Sequence, residues 1–317
     1  MPIYRCAFNT LVVPHGAKKF PKFRVIENSV EQGVTRTNGV RVILGHFATS
    51  ESPVYGSQTE FVEDVVQDVA VGGTYTYSQN ASCAYEHWGL IITHYGGLWT
   101  PQYPPPATAG DYDYACCDLI FDSSNGKVNN GLLYTIVGGG GGGNGRYGGG
   151  GPGGGSSYRS DGTYAAGTDY RIGTAFRVKV GRAYKGIDTG YMPAGQAFAS
   201  SVTTMLNSNT LTANGGCTPT DAVNGGVGDV QGNRYGAGKD GDYGRELFTH
   251  NTYDGKTAHY WPLIAGGGCS GSPDQSSPVY FPKANLKYGS GGAGSGYKGT
   301  GHWGYLGAFI LSNSVTL

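Results

Sequence analysis

Short runs of β-branched and aromatic residues, each closed by glycine, asparagine or proline, recur through the first part of this chain. Phe23-Arg24-Val25-Ile26 and Val40-Arg41-Val42-Ile43-Leu44 have the length and composition of strands. Tyr75-Thr76-Tyr77 follows the turn signal Gly72-Gly73, and the apolar run from Leu90 to Tyr95 stops at Gly96-Gly97. Leu119-Ile120-Phe121-Asp122 and Leu132 to Val137 flank Asn125-Gly126-Lys127, which reads as a hairpin turn. One stretch is ambiguous. Glu60 to Val69 has valines at 62, 65, 66 and 69, which fits a helical period, and it reads equally as a strand. Pro101 to Pro106, with Tyr103 between the prolines, predicts a polyproline-type bridge or a rigid loop. These spacings predict a β-rich N-terminal domain over residues 1–130, a sandwich or a small open barrel.

Past residue 130 the pattern changes character. Between Gly138 and Gly155 fourteen of eighteen residues are glycine, interrupted only by Asn144, Arg146, Tyr147 and Pro152. Only 12 of the 58 glycines precede residue 131. Later clusters recur at 215–216, 225–228, 236–238, 266–268 and 289–301, separated by mixed segments rich in Tyr, Asn, Ser and Thr. Strand signals are few: Phe176 to Val180, and Tyr305 to Leu311. A flexible linker would lead into a domain of ordinary composition, and here glycine use stays high. The organisation expected is therefore an N-terminal domain, 1–130, and a glycine-rich domain, 131–317.

Polyglycine is the costliest backbone to order, so a fixed tract needs compensating packing. One way to order it is the polyproline II geometry, with three residues per turn and a rise of about 3.1 Å. Such helices make no internal hydrogen bonds, so their amides must pair with neighbouring chains. Gly139, Gly142, Gly145, Gly148, Gly151 and Gly154 form one unbroken column at that period, a face free of side chains.

The remaining chemistry narrows the function classes. Lys plus Arg and Asp plus Glu both number 22, which argues against nucleic-acid binding. No apolar window has the length of a membrane span, and Met1 to Arg5 lacks the start of a secretory signal. The six cysteines are dispersed with no CxxC pair, so zinc and thioredoxin-type chemistry are unsupported. The adjacent Cys116 and Cys117 are expected to be free or buried rather than bridged to each other.

Asp111-Tyr112-Asp113 and Asp240-Gly241-Asp242 read as turns before they read as metal ligands. Gly267-Gly268-Cys269-Ser270-Gly271 matches a nucleophile elbow, but Pro273 and Pro278 deny it the helix that must follow. No carboxylate pair stands out for glycan cleavage. No cofactor or metal is expected, and the chain does not read as an enzyme.

The layout of Val137 leading into Gly138 to Gly155, the later clusters, and the stretch from Gly291 to Leu311 resembles the glycine-rich tip adhesins of bacteriophage tail fibres. That resemblance covers the last 187 residues at most. It implies a mainly β protein whose second domain packs polyglycine II-type helices with few strands and long loops. It also implies virion localisation, residues 1–130 mounting the domain on other virion or fibre proteins, and loops between glycine clusters binding a bacterial surface receptor. Tyr158, Tyr164, Tyr235, Tyr243, Tyr260, Trp261, Tyr280 and Trp303 are the receptor-binding candidates, because Tyr and Trp give large, stiff, amphipathic contact area. In a domain poor in Leu and Ile the same aromatics are equally suited to be core. A structural spike or decoration protein is the alternative function, and a glycan-cleaving spike a further one.

Overall fold

The structure is a computed structural model. It describes residues 4–5, 12–13, 20–28, 39–52, 56–78, 88–94, 114–144, 155–184, 196–219, 227–228, 245–246, 252–253, 256–257, 260–261, 263–264, 288–292, 294, 301 and 304–313. The strands in chain order are β1 (Tyr4–Arg5), β2 (Val12–Val13), β3 (Phe23–Glu27), β4 (Val40–Ser52), β5 (Gly56–Val69), β6 (Thr74–Tyr77), β7 (Trp88–His94) and β8 (Tyr114–Phe121). After a 3-10 helix at Asn125–Asn130 come β9 (Leu132–Val137), β10 (Arg159–Tyr164), β11 (Ala175–Gly181), β12 (Ser200–Thr204) and β13 (Asn209–Ala213). The two-residue strands β14 (Arg245–Glu246), β15 (Thr252–Tyr253), β16 (Lys256–Thr257), β17 (Tyr260–Trp261) and β18 (Leu263–Ile264) precede β19 (Ala308–Asn313).

Two sheets carry the fold. One has seven strands in the order β10-β9-β19-β7-β4-β5-β17, the other six in the order β13-β12-β11-β8-β3-β6. Every pairing in them is antiparallel except β17 against β5. Alternation places the strands of the smaller sheet. In β8 the sequence YACCDLIF buries every second residue, so Ala115, Cys117, Leu119 and Phe121 face the core. β7 and β19 differ. They read as unbroken apolar runs and are buried on both faces, as central strands are.

The core between the sheets is joined by aromatic contacts with Phe176 at their hub. Its ring lies 5.1 Å from Tyr164, 5.3 Å from Tyr170, 6.2 Å from Phe309 and 6.3 Å from Phe121. Phe309 comes from the seven-stranded sheet and Phe121 from the six-stranded one, so this ring links both layers.

One open reading is resolved and two expectations change. The ambiguous stretch from Glu60 to Val69 is part of strand β5, paired with β4 along its whole length. Its helix-like spacing comes from a bulge. Leu44 pairs with Val65 and Gly45 with Glu63, so Asp64 is the extra residue and resets the alternation. Val62 and Val65, three apart, therefore share a face. Asp64 accepts a 2.7 Å contact from Nδ1 of the buried His46.

The predicted hairpin at Asn125-Gly126-Lys127 is instead a crossing between layers. β8 and β9 belong to different sheets, and the 3-10 helix buries Val128 between them. The buried Tyr170 hydroxyl donates to the Val128 carbonyl and holds this crossing in place.

The change of composition near residue 130 is not a boundary of the core. β9, β10 and β19 share a sheet with β4, β5 and β7, while β11, β12 and β13 share one with β3, β6 and β8. The glycine-rich region also supplies more strands than its sequence showed. β10, β12 and β13 carry little aliphatic character and lie at or next to the sheet edges, where one face needs no apolar residue.

Cys116 and Cys117 are free thiols that alternate across β8, with only Cys117 in the core. Burial pushes the Cys117 thiol well above its ordinary value. Among the described residues no helix is long and apolar enough to cross a membrane. The Pro101–Pro106 stretch lies outside the described residues.

Two tests follow from this core. Phe176→Ala removes the ring shared by both sheets and is expected to destabilise the chain by about 3–5 kcal/mol in urea unfolding. Burial pushes the Tyr77 hydroxyl from 10.0 up to about 12, and Tyr164 and Tyr170 shift the same way for the same reason. Between those two values the unfolded chain has lost protons that the folded chain retains, so stability falls as pH rises. Alkaline unfolding is expected to begin above pH 10.0, with the buried tyrosines ionising only as near-ultraviolet dichroism is lost. Full ionisation with that signal intact would contradict the packing described.

Candidate functional site

Strand β9 ends at Val137 and the chain continues, fully buried, through Gly138 to Asn144. Up to Val137 the backbone bonds only to its sheet neighbours β10 and β19. Beyond it the partners rotate. The amide of Gly138 donates to Tyr158, that of Gly139 to Phe198, that of Gly140 to Tyr305 and that of Gly141 to Gly155. Tyr158 and Gly155 lie on one segment, so the partner repeats after three residues. A strand repeats after two.

The carbonyls do the same in other directions. Gly139 accepts from Gly216, Gly140 from Tyr184, and Gly141 from Gly292. Six sets of described residues, 155–158, 182–184, 196–198, 214–217, 289–292, and 301 with 304–305, thus bond to or abut the central tract.

The sandwich delivers most of these segments. Residues 155–158 lead into β10, 196–199 into β12 and 301–307 into β19, while 182–184 leave β11 and 214–217 leave β13. In the sandwich the layers stand about 10 Å apart, separated by side chains. In the bundle, hydrogen bonds cross between those layers, as from Gly307 to Gly181 (2.9 Å) and from Tyr158 to Asn214 (2.9 Å). The buried positions at the transition are small accordingly, with Gly181, Ala183, Ala197, Ser200, Gly307 and Ala308.

Glycine is obligatory here because backbone occupies the space of a side chain. A methyl group on Gly138, Gly139, Gly140 or Gly141 would collide with carbonyl oxygens of Asn214, Arg182, Ser290 and Cys217 respectively. The side-chain-free requirement therefore extends beyond the column of Gly139 and Gly142 to every face of the tract. Gly145, Gly148, Gly151 and Gly154 lie outside the described residues.

A second column was overlooked in the sequence. Gly301, Gly304 and Gly307 abut Gly143, Gly140 and Val137 in antiparallel order, three residues apart on both chains. Its signal was the spacing GHWGYLG, glycine at every third position.

The described bundle is chemically quiet. Its inward polar groups are hydroxyls and one amide, with Ser156, Ser157, Thr218, Ser290 and Asn144 all buried. Arg182 is the single charged residue among the segments named above. Burial raises the Cys217 thiol above its ordinary value, which keeps it protonated rather than nucleophilic. No group of three His, Cys, Asp or Glu side chains suited to a metal ion gathers among the described residues. Cys269, Asp111 to Asp113 and Asp240 to Asp242 lie outside them.

The aromatic candidates separate. Tyr158 stands at the base of the bundle and is 38% exposed. Tyr164 is corrected from a receptor candidate to a core residue. It is 2% exposed, with its ring 4.3 Å from Tyr134 and 5.1 Å from Phe176, because the inward phase of β10 points it between the sheets.

Tyr260 and Trp261 form β17, which pairs with Thr59 and Glu60 of β5. Register fixes where that is. Val137, Ala308, Thr93 and Arg41 align at the glycine end, and Thr59 lies opposite Thr49, beyond His46 at the other end. The backbone of these two candidates is thus remote from the bundle. Tyr235, Tyr243, Tyr280 and Trp303 lie outside the described residues.

No protein-family model, curated protein or solved structure matches the chain. The site is read from its own geometry.

Gly140→Ala and Gly304→Ala place a methyl against backbone that cannot rotate away, and each is expected to cost at least the 1–3 kcal/mol typical of overpacking, roughly. Gly72→Ala, whose added methyl meets nothing within 4 Å but whose φ is +73°, is the comparison. It carries only the left-handed backbone penalty of about 1–2 kcal/mol. Urea midpoints for the three variants check the order, with Gly72→Ala expected to be the mildest.

Proposed function

We propose that the chain is a receptor-binding adhesin of a bacteriophage tail-fibre tip, with no catalytic role. Its glycine-rich segments pack as polyglycine II-type helices, and the segments between glycine clusters recognise a bacterial surface receptor. The observation that carries the reading is the three-residue rotation of hydrogen-bond partners along Gly138 to Gly141 within six neighbouring segments. A stack of that kind is stiff, because successive amides are tied to different neighbouring segments. It is also nearly uncharged. Such a body suits a platform for variable recognition segments rather than a reaction centre, since catalysis needs polarised groups placed against one another.

Residues 145–154, 185–195 and 295–300, outside the described residues, connect the described bundle segments in sequence. The intervening sequences carry Tyr147, Tyr191, Tyr297 and, next to Gly301, Trp303. Attachment to other fibre or virion proteins falls to surfaces within residues 1–130, where β4 and β5 extend past the start of β7 at the end away from the glycine tract.

Because strands from both sides of residue 130 share each sheet, the test uses the whole chain. Labelled protein is expected to bind intact host bacteria saturably. Exchanging residues 185–195 or 295–300 for those of a related fibre is expected to abolish or redirect binding without lowering the melting temperature. Folded protein that binds no bacterium among those sharing its source sinks the adhesin reading and favours a purely structural spike. Release of oligosaccharide from host polysaccharide would overturn the non-enzymatic part.

A further inference from the structure

We infer that Gly304–Asn313 is a clasp, one continuous segment whose docking closes the seven-stranded sheet and the glycine bundle in a single step. β19 lies between β7 and β9, which neighbour each other in the sheet only through it, and all six of its residues are buried. The residues just before it belong to the bundle. Tyr305 accepts from the amide of Gly140 and donates to Ser290, Gly304 donates to Tyr184, and Leu306 accepts from Gly289.

The junction is fastened to both sheets at one residue. Gly307 donates to Gly181 of β11 (2.9 Å), and its carbonyl accepts from the Thr93 hydroxyl of β7 (2.8 Å). At the far end the Asn313 side chain accepts from the backbone amide of Trp88 (2.9 Å). Every one of these partners precedes the clasp in the chain.

An extended segment held this way cannot leave the sheet while its first four residues stay in the bundle. Gly304 and Gly307 have backbone on the side where a side chain would be, so the slot admits no sliding by one residue. Departure of the clasp removes the acceptor of Gly140 and opens the facing edges of β7 and β9 together. The clasp therefore couples the two units. The bundle keeps its rotated pairing only while the sheet is complete, and the sheet is complete only when the bundle has admitted residues 304–307.

Native-state hydrogen exchange on the full-length chain tests this directly. Amides of Gly140, Gly304, Phe309 and Ile310 are expected to exchange through one opening, with protection equal within about threefold and the same dependence on denaturant. Exchange at Phe309 and Ile310 more than about tenfold faster than at Gly140, with a shallower denaturant slope, would show a strand that frays alone and would overturn the coupling.

A second experiment uses the full chain with a protease site inserted between Gly294 and Gly301, cut after folding. The released piece is expected to stay bound through gel filtration and to separate only at the unfolding midpoint. Its loss from a body whose near-ultraviolet dichroism is unchanged would likewise overturn the inference.

Discussion

At Val137 the backbone, until then bonded only within one sheet, begins to bond to continuations of strands from both, and the described glycine segments are arranged around that change. Two sheets kept about 10 Å apart by side chains cannot exchange hydrogen bonds. Chains stripped of side chains can approach to about half that distance, near the 4.7–4.9 Å of paired strands. Once they do, each buried amide must find a partner on a neighbouring chain, because an unpaired one costs roughly 1–3 kcal/mol. The tract from Gly138 to Gly141 meets that demand in turn with Tyr158, Phe198, Tyr305 and Gly155. Glycine is used here for close approach of backbones and not for flexibility.

The bundle cannot be separated from the sandwich that feeds it. Six of its chains are the continuations of β9, β10, β11, β12, β13 and β19, so their spacing on entry is set by the sheets. The sheets in turn combine strands from both sides of residue 130. Their contact combines aromatic rings, with Phe176 touching rings from both layers, with a filling of Val, Leu and Ile. Tyr164 and Tyr170 are consumed in that core.

This arrangement also sorts what is available for recognition. Tyr158 stays exposed at the base of the bundle, whereas β17 carries Tyr260 and Trp261 to the opposite end beside the β4–β5 hairpin. Among the described residues the buried polar side chains of the bundle are uncharged. The adhesin reading rests on that division between a stiff, neutral scaffold and the aromatic segments that connect its chains.

Local pattern alone determined a good deal. The strands β3, β6, β7, β8, β9 and β11 were legible from alternation and β-branched runs, because each buries one or both faces in a core that rewards such residues. The glycine tract was legible as a packed element, because a linker has no reason to recur. Tertiary structure decided the rest. The bulge at Asp64 gave β5 a false helical spacing, and the polar strands β10, β12 and β13, at or next to the sheet edges, left little apolar trace.

Interleaving of the two halves was invisible because composition records which residues are common, not which strands pair. Whether a tyrosine is core or surface depends on strand phase and on what lies across the gap, so Tyr158 and Tyr164, six residues apart, look alike in sequence and have opposite fates. The antiparallel fit of Gly301, Gly304 and Gly307 against Gly143, Gly140 and Val137 required two columns of period three to meet across more than 150 residues of chain. Sequence shows each column, and only the fold brings them into contact.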